Sequence, residues 1–268
     1  MSASTTTAPV SRSALGRAHP ASDAVTIAWR NTLALRRNPQ LLVFATVQPV
    51  IFVLMFRYVF GGAIRVPGVP YVDYLMPGIF VQTVTFGALQ TGVGLAEDLQ
   101  KGLVDRFRSL PMARSAVLVG RTLADLLRNV FVVVLMVVVG FIVGWTVHTN
   151  VVAVTAGLGL VLAFAYSLSW VFAIVGLSVP DSETAQAASF PVLAPLVFAS
   201  SAFVPVNSMP GWLQAYARNQ PVSVVVNAVR ALTLGGPTAS AVLKAVVWIV
   251  ALTAVCAPIA VARYRRAV

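Results

Sequence analysis

The chain has 268 residues, of which 58% are hydrophobic and 10% are charged, with a mean hydropathy of +0.86 and a net charge of +11. Because soluble domains carry about 25% charged residues, this composition argues against a water-soluble globule and predicts a protein that uses lipid as its solvent. The basic residues are scattered between apolar runs and show no basic groove with interleaved aromatic residues, a pattern that disfavours nucleic acid as a partner.

The N-terminal region precedes the first apolar run and divides into two parts. Residues 1–21 are rich in Ser, Thr and Ala, which predicts a disordered cytosolic tail. Residues 22–38 begin with Ser22, a good helix cap, carry apolar residues at helical spacing beside arginines, and are followed by Pro39. They are predicted to form an amphipathic helix in the inner membrane interface, although a short soluble helix without a membrane role fits the same pattern.

Residues 39–268 are predicted to form one transmembrane domain, so that the fold is an all-α polytopic membrane protein with six spans. Apolar runs of about 20 residues cross roughly 30 Å of hydrocarbon. The predicted spans are about 41–60, 74–96, 116–147, 151–179, 185–206 and 242–262. The second span carries several Gln and Thr residues, which indicates a face turned toward other helices. The fifth contains three prolines, which predicts a bent or broken helix.

The third predicted span begins with a charged face. Arg121, Asp125 and Arg128 lie at positions i, i+4 and i+7, where opposite charges share one face of a helix and can pair. We therefore expect this helix to extend into the cytosol before it enters lipid. A solvated face without a partner explains the same spacing equally well.

The stretch between the fifth and sixth spans, residues 207–238, has a different character. It is too polar and too interrupted by proline to cross a membrane, and too apolar for an open loop. We expect one or two short re-entrant helices that dip into the outer leaflet. Trp212 and Tyr216 suit the membrane interface, and Arg218 and Arg230 are expected to point to water or headgroups.

The distribution of basic residues predicts the topology. Six spans place both termini on one side, and the 19 basic residues divide fourteen to five in favour of that side. The positive-inside rule then places both termini in the cytosol. The two halves show no convincing repeat, which disfavours a secondary carrier built from inverted repeats.

Catalytic motifs are absent from the sequence. It contains no P-loop, no HExxH and no GxSxG, and its single cysteine, Cys256, cannot form an internal disulfide. No charge lies clearly in the middle of a predicted span, so a proton relay lacks its usual residues. The chain is therefore predicted not to be an enzyme and to bind no cofactor, and any uphill transport must draw its energy from a partner.

A charged island, residues 97–115, separates the second and third spans and carries seven of the chain's 27 charges. Leu103, Phe107 and Leu110 recur at helical spacing and form an apolar stripe with charged residues beside it. Such a helix suits a groove on a soluble partner, although the same stripe would also pack against the protein's own helices.

The ordered set of parts resembles a known family. An amphipathic entry helix ending in Arg-Arg-Asn-Pro is followed by two spans, the inner loop, three spans, the segment from Pro-Gly-Trp-Leu to Val-Arg-Ala-Leu, and a last span. The most family-like residues are Arg106, Arg108, Leu110, Pro111, Arg114 and the pair Gly120 and Arg121. Over residues 24–268 the chain resembles the membrane subunits of type-2 ABC exporters, such as the daunorubicin/doxorubicin-resistance permeases of actinobacteria.

This resemblance implies a bacterial inner-membrane permease that exports a hydrophobic or amphipathic drug or lipid. It implies a separate ATPase subunit that binds ATP and Mg²⁺, and a complex of two permeases, commonly identical, with two ATPases. The residues implied in ATPase coupling are Glu97, Asp98, Leu103, Arg106, Phe107, Arg108, Leu110 and Arg114, with Asp181 and Glu183 in a second inner loop. The re-entrant segment is implied as an outer gate, for which the candidate residues are Trp212, Tyr216 and Arg230.

Polar residues within the predicted spans are candidates for the translocation pathway, and each also suits a contact between helices. They are Gln48, Gln82, Thr85, Gln90, Gln186 and Ser200. Two other classes of function stay open at this point. One is a carrier or channel that works without ATP, and the other is a membrane scaffold or immunity protein that transports nothing.

Overall fold

The computed structural model describes residues 39–64, 66–101 and 114–267, and within them every regular element is a helix. The helices are α1, Pro39–Leu54, continued by a π-helix, Met55–Phe60; α2, Tyr71–Gln100; α3, Arg114–Ile142; α4, Val151–Gly176; α5, Ser182–Phe198; a 3₁₀ turn, Val206–Ser208; α6, Gly211–Asn219; α7, Pro221–Leu234; and α8, Thr238–Ala267. The predicted tail, the predicted entry helix at 22–38 and the central part of the charged island lie outside the described residues.

Helix α2 is the centre of the bundle. It packs most extensively against α4, and then against α5, α3, α7 and α1. Of its most apolar stretch 78% is buried, against 11% for α8, which confirms that the polar second span turns toward other helices. Gly92 and Gly176 make the α2–α4 contact close, because a Cβ at either glycine would overlap backbone of the other helix. Small residues allow such approaches in membrane bundles.

Four of the described helices are long and apolar enough to cross a membrane. They are Tyr71–Gln100, Leu118–Ile142, Val151–Gly176 and Thr238–Arg266. The helix α5 has 17 residues, and the shorter apolar helices among the described residues are Thr46–Phe60, which covers most of α1 and its π-helical continuation, and Pro221–Leu234. The structure is therefore a polytopic helical bundle with four candidate spans, and the six-span arrangement stays a prediction.

Helices α3, α4 and α5 end earlier than the sequence predicts, α4 at Gly176 instead of 179. Helix α3 ends at Ile142 instead of 147 because Gly144 adopts a φ of 92°. The amide N–H of Trp145 then donates to the carbonyl of Gly140 (2.8 Å), and that of Gly144 donates to Phe141 (3.2 Å), which is the Schellman pattern of a helix C-terminus. Helix α5 ends at Phe198 instead of 206, and residues 199–205 form turns that return to α2.

Candidate functional site

The C-terminal end of α2, called the inner end because the sequence predicts that it faces the cytosol, is joined to the beginning of α3 by charged side chains. The Arg121 guanidinium of α3 forms an ion pair with the Asp98 carboxylate of α2. One turn or two further along α3, Arg128 Nη1 lies 3.4 Å from Asp125 Oδ1, and Arg128 Nη2 donates to the Gly87 carbonyl of α2 at 2.7 Å. We call these four charged residues, Asp98, Arg121, Asp125 and Arg128, the inner cluster.

The inner cluster confirms only part of the predicted pairing along α3. Asp125 pairs with Arg128 on the same helix, as the spacing allows. Arg121 instead pairs with Asp98, 23 residues earlier in the chain. The sequence contained no signal for this partner, because the contact depends on how α2 and α3 cross and not on spacing within one helix.

The structure places the predicted ATPase-coupling residues only in part. Glu97 and Lys101 form a solvent-exposed ion pair near the C-terminal end of α2. Arg114 is the first residue of α3. The predicted docking residues Leu103, Arg106, Phe107, Arg108 and Leu110 lie outside the described residues.

The second predicted inner contact lies at the N-terminus of α5. Asp181 caps this helix, because its carboxylate accepts hydrogen bonds from the Thr184 amide and the Thr184 hydroxyl, both at 2.8 Å. These hydrogen bonds hold the pKa of Asp181 below its usual value. Glu183 follows in the first turn and is exposed, where its charge favours the helix dipole. The prediction that the two acids contact a partner is untested.

At the N-terminal end of α2, called the outer end from the same prediction, Arg230 of α7 is buried, with 8% of its surface exposed. Its Nη2 donates to the carbonyls of Ser201 (2.6 Å) and Ala202 (3.1 Å), and its Nε donates to the Tyr74 carbonyl (3.0 Å). The guanidinium also lies 3.5 Å from the centre of the Tyr74 ring. The prediction that Arg230 points to water or headgroups is therefore wrong.

The physical reason is the early end of α5. The turns at residues 199–205 leave carbonyl groups without helical donors, and buried carbonyls need partners. Arg230 supplies two, the Tyr74 hydroxyl donates to Ser201 (3.2 Å), and the Tyr71 hydroxyl donates to the Phe203 carbonyl (3.0 Å). We call Tyr71, Tyr74 and Arg230, with the carbonyls of residues 201–203, the outer clamp. It ties α2, α7 and the segment after α5 together.

A second polar contact at the outer end surrounds Asp73, which is fully buried. Its carboxylate accepts from the Thr146 amide (2.8 Å), from the Thr146 hydroxyl (2.6 Å) and from His148 Nε2 (3.0 Å). The His148 amide in turn donates to the Thr233 carbonyl at the end of α7 (3.0 Å). The α3–α4 turn is thus fastened to both α2 and α7. Neither Asp73 nor His148 is among the site residues predicted from the sequence.

The predicted gate residues do not form one site in the described structure. Trp212 and Tyr216 lie on α6 with 77% and 42% of their surfaces exposed, which agrees with positions at an interface. Arg230, by contrast, lies inside the outer clamp. The exposed arginine of the segment is Arg218, which bonds to Asn207 and Gln214.

The six predicted pathway residues also separate into two groups. Gln48, Gln90 and Gln186 are exposed on the outside of the single chain, on α1, α2 and α5. Gln82, Thr85 and Ser200 are buried. The hydroxyls of Thr85 and Ser200 donate to carbonyls of residues 81 and 197 of the chain (2.7 and 2.5 Å), and Gln82 Oε1 lacks a hydrogen-bond partner among the described residues. The arrangement does not gather them around one cavity.

The described residues form an apolar helical bundle in which four helices are long enough to cross a membrane, as expected of a multi-pass membrane protein. Comparison with known proteins gives the family: the ABC-2 type transporter model matches residues 23–234. The chain belongs to this family and is a membrane permease subunit of an ABC exporter.

Individual relatives agree with this assignment. The chain is 36% identical over 219 residues to a daunorubicin resistance ABC transporter permease protein, DrrB1, of Streptomyces coeruleorubidus, covering 82% of this chain and 77% of that protein. It is 28% identical over 254 residues to a probable doxorubicin resistance ABC transporter permease protein, DrrC, of Mycobacterium tuberculosis, covering 91% and 89%. A putative transport permease, ycf38, of Porphyra purpurea is 25% identical over 206 residues, covering 74% and 69%.

Proposed function

We propose that this permease exports a hydrophobic or amphipathic drug or lipid from a bacterial cell, with energy from ATP hydrolysed by a separate subunit. The names of two relatives, which refer to daunorubicin and doxorubicin resistance, support a drug as the substrate. ATP and Mg²⁺ belong to the partner ATPase, and this chain binds neither. The working complex is a pair of permeases, in the simplest case two copies of this chain, with two ATPases.

The observation that carries the proposal is the inner cluster. The charged island, residues 97–115, connects the end of α2 to the beginning of α3. Asp98 and Arg121 join these two helices close to the ends that the island connects. A loop that transmits force from a soluble partner needs anchors in two spans, and the inner cluster supplies a contact between those anchors.

The island itself is the proposed docking element. Its apolar stripe of Leu103, Phe107 and Leu110 suits a groove in the ATPase, and its charged residues suit a polar rim around that groove. Asp181 and Glu183, at the N-terminus of α5, form a smaller second contact on the same side. This placement requires the island, residues 181–183 and both termini to lie in the cytosol of a cell with the permease in its inner membrane.

The remaining elements complete the proposed architecture. Helices α1 and α5 serve as the first and fifth of six spans, and residues 22–38 lie as an amphipathic helix in the inner interface. Helices α6 and α7 enter the outer leaflet from the outside and form the outer gate. Trp212 and Tyr216 contact the interface there, and Arg230 holds the gate to α2 through the outer clamp.

The exposed glutamines are the better pathway candidates of the six polar span residues. Gln48, Gln90 and Gln186 are exposed on the single chain, so a second copy or a substrate can reach them. The buried Thr85 and Ser200 already donate to nearby carbonyls, which is the usual behaviour of hydroxyls within helices.

The test is transport by the complete complex. The full chain is expressed with its cassette ATPase, and daunorubicin accumulation is measured in inverted membrane vesicles, into which an exporter pumps. We expect accumulation that requires ATP and is lost with an ATPase variant unable to hydrolyse it. Accumulation that persists with that variant would favour a carrier or channel, and a stable complex that moves neither drug nor fluorescent lipid would favour a scaffold.

The docking assignment has its own variants. Phe107→Asp places a charge in the apolar stripe, and Arg106→Glu reverses a charge beside it. We expect both chains to insert into the membrane while co-purification with the ATPase and transport fall about tenfold or more, as for a truncated interface hot spot. Lys244→Gln, far along the chain in α8, is the matched control. Normal ATPase binding and transport in both island variants would contradict the assignment.

A further inference from the structure

Two glycines of α2 receive polar side chains from α3. A Cβ atom at Gly94 would overlap the Arg121 guanidinium, and a Cβ atom at Gly87 would overlap the Asn129 amide oxygen. Arg128 reaches the same position and donates to the Gly87 carbonyl at 2.7 Å. Each glycine is therefore a notch in the surface of α2 that a side chain of α3 fills.

The notches and the arginines share one spacing. Gly87 and Gly94 are seven residues apart, and so are Arg121 and Arg128. Seven residues make about two helical turns, or roughly 10 Å along the axis. Because α2 and α3 are consecutive and cross in opposite directions, Arg128 meets Gly87 and Arg121 meets Gly94 in the same register. A slip of one helix along the other would remove Arg121 from the Gly94 notch and Arg128 from the Gly87 carbonyl together.

The paired charges of the inner cluster also favour this one alignment of α2 and α3. Asp98 pairs with Arg121, and Asp125 pairs with Arg128, so the inner cluster carries two charges of each sign. The Arg128 and Asp125 side chains have only 14% and 12% of their surfaces exposed. If either of these largely buried side chains moved away from its partner, it would not find another partner of similar strength. The contact therefore favours one arrangement of the two helices over intermediate ones.

We infer that Arg121 and Arg128 are positioning residues that lock α2 and α3 into one rigid lever. A displacement at the end of this hairpin then moves Gly87, near the middle of α2, and with it the helices that pack around α2. The inference rests on the proposed function, since the displacement comes from the ATPase docked on the island. In this arrangement the arginines contribute to the transmission of movement and not to docking.

The experiment uses the complete complex in proteoliposomes and measures both ATP hydrolysis and daunorubicin transport. Arg128→Gln removes the charge while it retains a shorter donor for the Gly87 carbonyl. We expect assembly with the ATPase and hydrolysis to persist, and the drug transported per ATP to fall roughly 3- to 30-fold, the range for residues on a coupling route. Arg121→Gln is expected to act in the same direction.

Matched variants separate coupling from general damage. Arg263→Gln removes another arginine near the same end of the bundle, one that bonds to Ser178 between α8 and the end of α4, and it is expected to leave the ratio unchanged. Arg128→Lys keeps a cation but replaces the fork of donors by one ammonium group, so its ratio should lie between those of Arg128→Gln and the original chain. If the Arg128→Gln permease does not assemble with the ATPase, the drug transported per ATP by the Arg128→Lys complex is the test.

The possible results are distinct. An unchanged ratio in an assembled Arg128 variant, or a parallel fall of hydrolysis and transport, would overturn the lever and leave a structural contact. Failure of the unaltered chain to associate with an ATPase would instead remove the proposed function itself. A reduced ratio confined to the Arg121 and Arg128 variants, with the Arg263 variant normal, supports the lever.

Discussion

The two ends of α2 hold arginines in contrasting ways. At the inner end, Arg121 and Arg128 have carboxylate partners, and the Arg121–Asp98 side chains remain 21% and 33% exposed. At the outer end, Arg230 is buried and contacts backbone carbonyls, the Asn227 amide oxygen and the Tyr74 ring. The inner arginines are held chiefly by opposite charges, and Arg230 is held by the attraction of its charge to neutral dipoles.

This difference follows from the kind of structure that is joined at each end of α2. The inner end joins two regular helices, whose backbone groups are largely satisfied within each helix, so its arginines pair mainly with carboxylates, and Arg128 adds one hydrogen bond to the Gly87 carbonyl. The outer end fastens a segment that has left its helix, and the carbonyls of Ser201 and Ala202 accept the donors of Arg230. Buried carbonyls without donors are unfavourable, so Arg230 is expected to matter more for stability than either inner ion pair.

The largest expected effect comes from the outer clamp. Arg230→Gln should lower the free energy of unfolding by about 3 kcal/mol, because it removes a buried cation and leaves carbonyls without donors. Denaturant unfolding of the purified protein in detergent measures the change. Arg218→Gln, which alters the exposed arginine of α6, is the matched control and should change stability by less than about 0.5 kcal/mol. Equal effects of the two variants would contradict the clamp.

Replacement of Asp73, the buried carboxylate at the same end of α2, should have the second-largest effect on stability. Asp73→Asn keeps the shape of the side chain but replaces one acceptor oxygen by an NH₂ group, which faces the donors of Thr146 or His148. We expect a loss of about 2 kcal/mol, typical of a charged hydrogen-bond acceptor removed from a buried site. The same unfolding measurement applies, with Glu183→Gln on the surface as the control. Stability equal to the unaltered chain would show that the three donors find other partners.

The same contrast shows how far the sequence could predict the molecule. Apolar runs and the Gln and Thr residues of the second span predicted a helical membrane bundle and the inward face of α2 correctly. Arg218 and Arg230 both lie on short helices after a proline. The residues around Arg230 are the more apolar, but that pattern does not say which groups its guanidinium contacts. What separates them is the position of carbonyls about 30 residues earlier, released where α5 ends. Such information belongs to the tertiary fold and not to a local pattern.

The candidate site was predictable to a similar extent. The spacing of Asp125 and Arg128 predicted their pairing, since both belong to one helix. The partner of Arg121 was not predictable, because Asp98 lies on α2 and the crossing of α2 and α3 decides the contact. His148 and Asp73 are 75 residues apart, and only the packing of the α3–α4 turn on α2 brings them together.

The smallest expected effect is the difference in coupling energy between two ion pairs at the inner end of α2. Asp98 and Arg121 are partly buried, whereas Glu97 and Lys101 are 47% and 61% exposed and lie on a single helix. A double-mutant cycle to alanine should give a coupling energy of about 1 kcal/mol for Asp98 and Arg121. The cycle for Glu97 and Lys101 should give less than about 0.5 kcal/mol, because exposed pairs are screened by water and salt.

Salt provides an independent check on the same two cycles. Added salt weakens exposed charge pairs more than partly buried ones, so the coupling energy of Glu97 and Lys101 should vanish first. The pair between α2 and α3 should retain most of its coupling energy. Equal coupling energies with equal salt dependence would mean that the contact between the helices is no stronger than a surface ion pair. The inner cluster would then be too weak to carry movement from the island into the bundle.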